Sequence, residues 1–163
     1  MRKIILFSWL ILLSIDARAE TEIKHKFIKT PTGFLMVLQK DDQLFEALEQ
    51  LMLQQKIPSA TFFGMGFVNA RFGFFNNETK KFDPREFKSM ELASLQGSLA
   101  WEEEKPSIHA HGIVTGKDFQ SFGGHLLAAQ VDTGSMEITI FTNKQRLERK
   151  IDPKIDAPVL QIK

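Results

Sequence analysis

Two short runs decide how this chain folds: Pro106-Ser107-Ile108-His109-Ala110-His111-Gly112 and Gly123-Gly124-His125-Leu126-Leu127. Between them they hold three of the four histidines. If the first run is a strand, its period of two points His109 and His111 to the same face. The polar segment Gly116-Lys117-Asp118-Phe119-Gln120-Ser121 reads as a turn, so the second run folds back antiparallel. A hairpin centred on Asp118 sets His125 directly opposite His111, and opposed residues share a face with Cβ atoms about 5 Å apart. Three imidazoles then converge, the minimum for a metal site that keeps one coordination position free. The expectation hangs on register. A bulge at Gly123-Gly124, slipping the pairing by one residue, sends His125 to the other face.

Working outward, the N-terminus carries Arg2 and Lys3, an apolar run from Ile4 to Ile15, and Ala17-Arg18-Ala19. A basic start, a short apolar core and an A-x-A site form the secretory pattern, so residues 1–19 read as a cleaved signal peptide. As a helix the apolar run covers about 18 Å, well short of the ~30 Å hydrocarbon core of a bilayer. Cleavage after Ala19 removes Arg2, Lys3, Arg18 and Asp16, leaving 18 basic and 19 acidic residues, net −1. That balance offers no broad attraction to nucleic acid. Cysteine is absent, which rules out disulfides, thiolate metal sites and thiol nucleophiles.

The remainder reads as one domain, with residues 20–32 as a polar lead-in, 33–142 as the folded body and 143–163 as a solvated C-terminal tail or edge. Gly33 to Leu38 is the first expected strand. Asp41 and Asp42 offer capping side chains for a helix running to about Gln55. Within it Leu44, Phe45, Leu48, Leu51 and Met52 form one apolar stripe at helical spacing. Strand patterns follow: Thr61-Phe62-Phe63, a tight bend or close backbone approach at Gly64-Met65-Gly66, then Phe67 to Phe75. Asn76 to Lys80 is a turn by composition. Met90 to Leu99, Ser107 to Thr115, Leu126 to Val131 and Met136 to Phe141 complete the set. Fifteen phenylalanines and no tyrosine imply a core of hydrocarbon rings. The expected class is α+β: a largely antiparallel sheet or open barrel with one main helix.

The order of motifs resembles the plant and prokaryote conserved domain family. Its marks here are the helix after the first strand, Gly64-Met65-Gly66-Phe67-Val68-Asn69-Ala70, Met90-Glu91-Leu92-Ala93-Ser94-Leu95-Gln96-Gly97, His109-Ala110-His111, Gly123-Gly124-His125-Leu126 and Met136-Glu137-Ile138. The resemblance spans Gly33 to Thr142. It implies an α+β fold on an antiparallel sheet, a homotrimer and, in prokaryotic members, a metal (zinc first) held by His109, His111 and His125. It also matches Gly123 and Gly124 to the family's glycine pair. Many members carry a DNA-binding label, but in the plant proteins the contact comes from an Arg-Gly-Arg hook. This chain has no such tripeptide.

Imidazole-only ligation suits Zn²⁺ and also accepts Cu²⁺ or Ni²⁺. No HExxH arrangement is present, and no glutamate follows the HxH pair at three or four residues. Glu91 and Glu137 are candidate carboxylates behind the ligands. His25, between Lys24 and Lys26, reads as an exposed residue. A Walker loop, a G-x-S-x-G elbow and a GxGxxG run are all missing. Two function classes follow. One is an exported, periplasmic or secreted, trimeric metal-binding module that takes a small ligand or a protein partner. The other is a zinc-dependent enzyme acting on a small envelope metabolite. DNA binding ranks behind both, and no transmembrane segment is expected after processing.

Overall fold

A computed structural model describes residues 26–162. The signal peptide expected at 1–19 and His25 lie outside the described residues. The described elements are β1 (Phe27–Thr30), β2 (Gly33–Gln39), α1 (Leu44–Gln55), β3 (Ser59–Asn76), β4 (Lys81–Glu102), β5 (Lys105–Thr115), β6 (Ser121–Asn143), β7 (Glu148–Asp152) and β8 (Ala157–Gln161). The strands form a single sheet in the order β1-β2-β6-β3-β4-β7-β8, with β5 paired to both β4 and β6. Every ladder is antiparallel except one parallel contact, Trp101 with Glu148. The α+β expectation with one main helix therefore holds, as a β-rich sheet. Among the described residues no helix is long and apolar enough to cross a membrane.

Alternation along the strands sorts the sheet into two faces. On one, Ala110, Gly97, Phe62, Ile140 and Phe34 are successive cross-strand partners from β5 through β4, β3 and β6 to β2. Ala110, Phe62, Ile140 and Phe34 are buried there. Helix α1 covers this face, packing against β5 and β6. Its Leu44, Leu48, Leu51 and Met52 are wholly buried with Ala47 beside them, while Phe45 packs at the margin. Each large side chain contributes roughly 1.5–3 kcal/mol on burial. Gly97 is required by the packing, because a Cβ there would meet the Phe62 ring and the His109 carbonyl oxygen, each at 2.4 Å.

Several sequence expectations are corrected. The Asp41-Asp42 pair does not cap α1: the N-cap is Gln43 and makes no side-chain cap. The Asp42 carboxylate instead accepts from the Gln39 backbone N–H and from Lys26 Nζ, which ties the turn before the helix to the residue preceding β1. Thr61–Phe63 and Phe67–Phe75 are one strand, β3, and no bend separates them. The ladder shifts register between Gly64 and Gly66, a bulge that bends a strand without ending its pairing. Gly64 and Gly66 serve a close approach, since Cβ atoms there would meet the β6 backbone at 2.5 and 2.8 Å. Leu126–Val131 and Met136–Phe141 likewise merge into β6.

β4 begins at Lys81, well before Met90. Charged residues and Pro84 make that stretch look irregular in sequence. Its first half pairs only with β3, so the missing Pro84 N–H costs no ladder bond on the open side. The lead-in contains β1, and residues 148–161 form the β7–β8 hairpin at the sheet edge.

Candidate metal centre

The β5–β6 hairpin has the register that its symmetry about Asp118 requires, with His111 opposite His125 and Thr115 opposite Ser121. The turn closes through Phe119 N–H to the Gly116 carbonyl and Gly116 N–H to the Gln120 carbonyl. Two glycines keep the register for different reasons. A Cβ on Gly123 would meet the Gly112 carbonyl oxygen at 2.5 Å, so this position needs glycine for strand proximity. Gly124 has open space around it but a φ of +153°, which side-chain-bearing residues rarely adopt.

Because Ala110 faces the helix, His109 and His111 must face away from it. Both are exposed, while His125 is half-buried. The candidate ligand nitrogens of the three histidines all lie within 4.8 Å of one another. Their ring centroids are 5.1, 5.0 and 5.3 Å apart in pairs. A row of cross-strand partners runs from His125 through His111, Gln96, Phe63, Thr139 and Leu35 to Ile28. The adjoining row runs from His109 through Ser98 and Thr61 to Phe141. The histidines thus share a sheet face with Gln96, Ser98 and an exposed apolar group, Phe63, Met65 and Phe141.

The surroundings of His125 and His109 favour their neutral forms. Phe82 lies flat on His125, ring centroids 4.5 Å apart and planes at 10°. Burial is the largest reason that the His125 pKa falls to about 4, with His109 and His111 adding repulsion. His109 is also pushed below the usual imidazole value. Burial of its inner side acts first, followed by His111 and Arg149. A neutral imidazole carries the lone pair that a metal needs, so His109 and His125 are ready donors at neutral pH. Tetrahedral Zn–N bonds of about 2.0–2.1 Å hold donors about 3.3 Å apart. Nitrogens within 4.8 Å of one another stand near that spacing, and three ligands would leave a fourth position open. The group fits a divalent transition metal.

Glu91 and Glu137 do not join it. Glu91 pairs with Thr115 and Phe67, and Glu137 with Val37 and Met65, in other rows of the sheet. A groove of about 530 Å³ beside the hairpin turn, lined among others by Arg85, Phe87, Lys117 and Phe122, includes none of the histidines.

Sequence reasoning missed Phe82 and Arg149. Phe82 stands in a stretch that carried no strand signal. Arg149, one basic residue among several in the expected tail, is 5% exposed and reaches across β4 and β5. Burial lowers its pKa, with the Glu102 charge opposing that shift.

These features define a class: a mostly antiparallel α+β domain presenting a histidine triad on the sheet face away from its helix. The chain belongs to the Plants and Prokaryotes Conserved (PCC) domain family, whose model matches residues 27–144. That segment begins with β1 and ends with β6. A crystal structure of a Ralstonia eutropha JMP134 protein named "Putative DNA-binding protein" is 52% identical, with a TM-score of 0.85 over 87% of this chain and 99% of that one. A metal-containing protein from Archaeoglobus fulgidus is 26% identical, with a TM-score of 0.72 over 83% of this chain and 98% of that one. A plant- and prokaryote-conserved protein from Pyrococcus horikoshii shares the fold at 24% identity, with a TM-score of 0.71 over 84% and 96%. No curated protein matches the sequence.

Proposed function

We propose that this chain is an exported, trimeric metal-binding domain that holds zinc through His109, His111 and His125 and takes a small ligand or a protein group at the open position. One observation carries the reading: the ligand nitrogens lie within 4.8 Å of one another on an accessible face. The metal-containing relative from Archaeoglobus fulgidus supports it. When bound, such an ion acts as a Lewis acid and draws the pKa of a coordinated water toward ~7. The protein's own part is to converge three imidazoles and to favour the neutral forms of His109 and His125. Gln96 and Ser98, opposite His111 and His109, add polar groups to the same face. A zinc-dependent enzyme acting on a small envelope metabolite is the alternative for the same triad.

Elemental analysis of wild type, His111→Ala and His25→Ala tests the metal reading. Wild type and His25→Ala should each carry close to one zinc per chain, and His111→Ala should carry almost none. Equal content in all three, or no metal in wild type purified without chelator, overturns it. Export is tested by intact mass, which should give a chain starting at Glu20 in the periplasmic or culture fraction.

DNA binding is the reading suggested by the name of the Ralstonia eutropha relative. The processed chain, at net −1 and without an Arg-Gly-Arg hook, should bind duplex DNA only weakly and lose it steeply with salt. Sequence-selective binding at physiological salt in a gel-shift assay would reverse that ranking.

A further inference from the structure

Arg149 stands outside the segment that matches the family, on β7 of the C-terminal hairpin. Its guanidinium is nonetheless buried on the sheet face that carries the triad. Nη2 donates to Ser98 Oγ at 2.6 Å and to the Ser98 carbonyl at 3.3 Å, and Nη1 donates to the Ser107 carbonyl. Ser98 is the cross-strand partner of His109, and Ser107 precedes His109 by one step on the same face of β5. The fork therefore spans the β4–β5 ladder at the position from which His109 projects. Among the described residues no carboxylate comes within ion-pairing distance of this guanidinium. A buried cation held only by carbonyls and a hydroxyl is costly, so its geometric role calls for explanation.

We propose that Arg149 is a positioning residue for the metal centre, fixing β4 against β5 so that His109 meets the other two histidines at ligating distance. This rests on the triad holding a metal. The C-terminal hairpin is then part of the centre, beyond its role as edge packing. A planar fork reaches acceptors on two strands at once, which an ammonium on a flexible stem does less well. Residues behind metal ligands commonly alter affinity by 10- to 100-fold.

The test uses the full processed chain and zinc competition with a chromophoric chelator, together with the visible spectrum of the cobalt-substituted protein. Arg149→Lys keeps the charge and loses the fork, and Ser98→Ala removes one acceptor with little risk to folding. Arg146→Met is the control. Arg146 stacks on Trp101 at 4.4 Å near the same sheet edge, away from Ser98 and Ser107. Arg149→Lys should weaken zinc binding about 10- to 100-fold and shift the cobalt bands. Ser98→Ala should weaken it roughly 3- to 10-fold, a partial loss of the same contacts. Arg146→Met should stay within about twofold of wild type, the tolerance expected of a residue that does not touch the β4–β5 clamp. If Arg149→Lys does not fold, Ser98→Ala decides alone. A wild type that binds zinc while Ser98→Ala and any folded Arg149→Lys match it overturns this inference and leaves the functional reading standing. A wild type that binds no zinc overturns both.

Discussion

The Phe82 ring lies flat against the His125 imidazole, 4.5 Å between centroids and 10° between planes. β4 thereby covers one face of a histidine that β6 supplies, and burial, to which this ring contributes, is the largest reason that the His125 pKa falls to about 4. Phe82→Ala opens that face to water. The His125 pKa should then rise toward the ordinary value of ~6.5, and zinc should be lost at a correspondingly higher pH. Imidazole NMR titration of the metal-free variant reads the first effect and chelator competition across pH the second. An unchanged pKa would show that the repulsion from His109 and His111 is the larger cause.

Acid should weaken the metal-free protein. His125 and His109 have folded pKa values below the unfolded ~6.5. Between the two, the unfolded chain binds more protons than the folded one, so stability rises with pH there. The contribution is complete above ~6.5 and is lost as pH falls through about 4, the folded value of His125. Linkage alone gives about 3 kcal/mol, which solvent screening of this half-exposed ring reduces. Urea midpoints measured from pH 7.5 to 4 should therefore show a loss of order 1–2 kcal/mol attributable to His125. His125→Asn should flatten that slope.

The adjacent glycines should respond differently to alanine. Gly123→Ala drives a Cβ into the Gly112 carbonyl oxygen, so β5 and β6 must separate next to His111 and His125. A cost of about 1–3 kcal/mol is expected, together with weakened zinc binding. Gly124→Ala meets no atom within 4 Å and pays only for its φ, about 1–3 kcal/mol, with less change in affinity. Thermal melts and chelator competition on both variants separate the two costs.

The trimer proposed above needs an apolar face, and Phe63, Met65 and Phe141 offer one. They are 51%, 61% and 38% exposed, and the Phe63 and Phe141 rings stand 5.7 Å apart. Native mass spectrometry of the processed wild type should show three copies. Phe63→Glu should shift the population to monomer while circular dichroism stays unchanged. A wild-type monomer at micromolar concentration would refute the trimer, and a trimeric Phe63→Glu would move its interface elsewhere.

Much of this molecule is written in local pattern. The period of two places His109 and His111 together, and the symmetric turn about Asp118 places His125 opposite His111, because strand alternation and hairpin register are short-range geometry. The apolar stripe of α1 is legible for the same reason, since Leu44, Leu48, Leu51 and Met52 repeat at the helical period. Strand lengths were less legible. Gly64-Met65-Gly66 has a bend's composition whether the chain turns away or only bulges, and pairing with β4 and β6 on either side makes it a bulge. The places of Phe82 and Arg149 belong to the tertiary structure alone. Phe82 reaches His125 across β3, and Arg149 reaches Ser98 from a hairpin 51 residues further along the chain. No local periodicity encodes such contacts, because they exist only once the ladders have set which distant strands are neighbours.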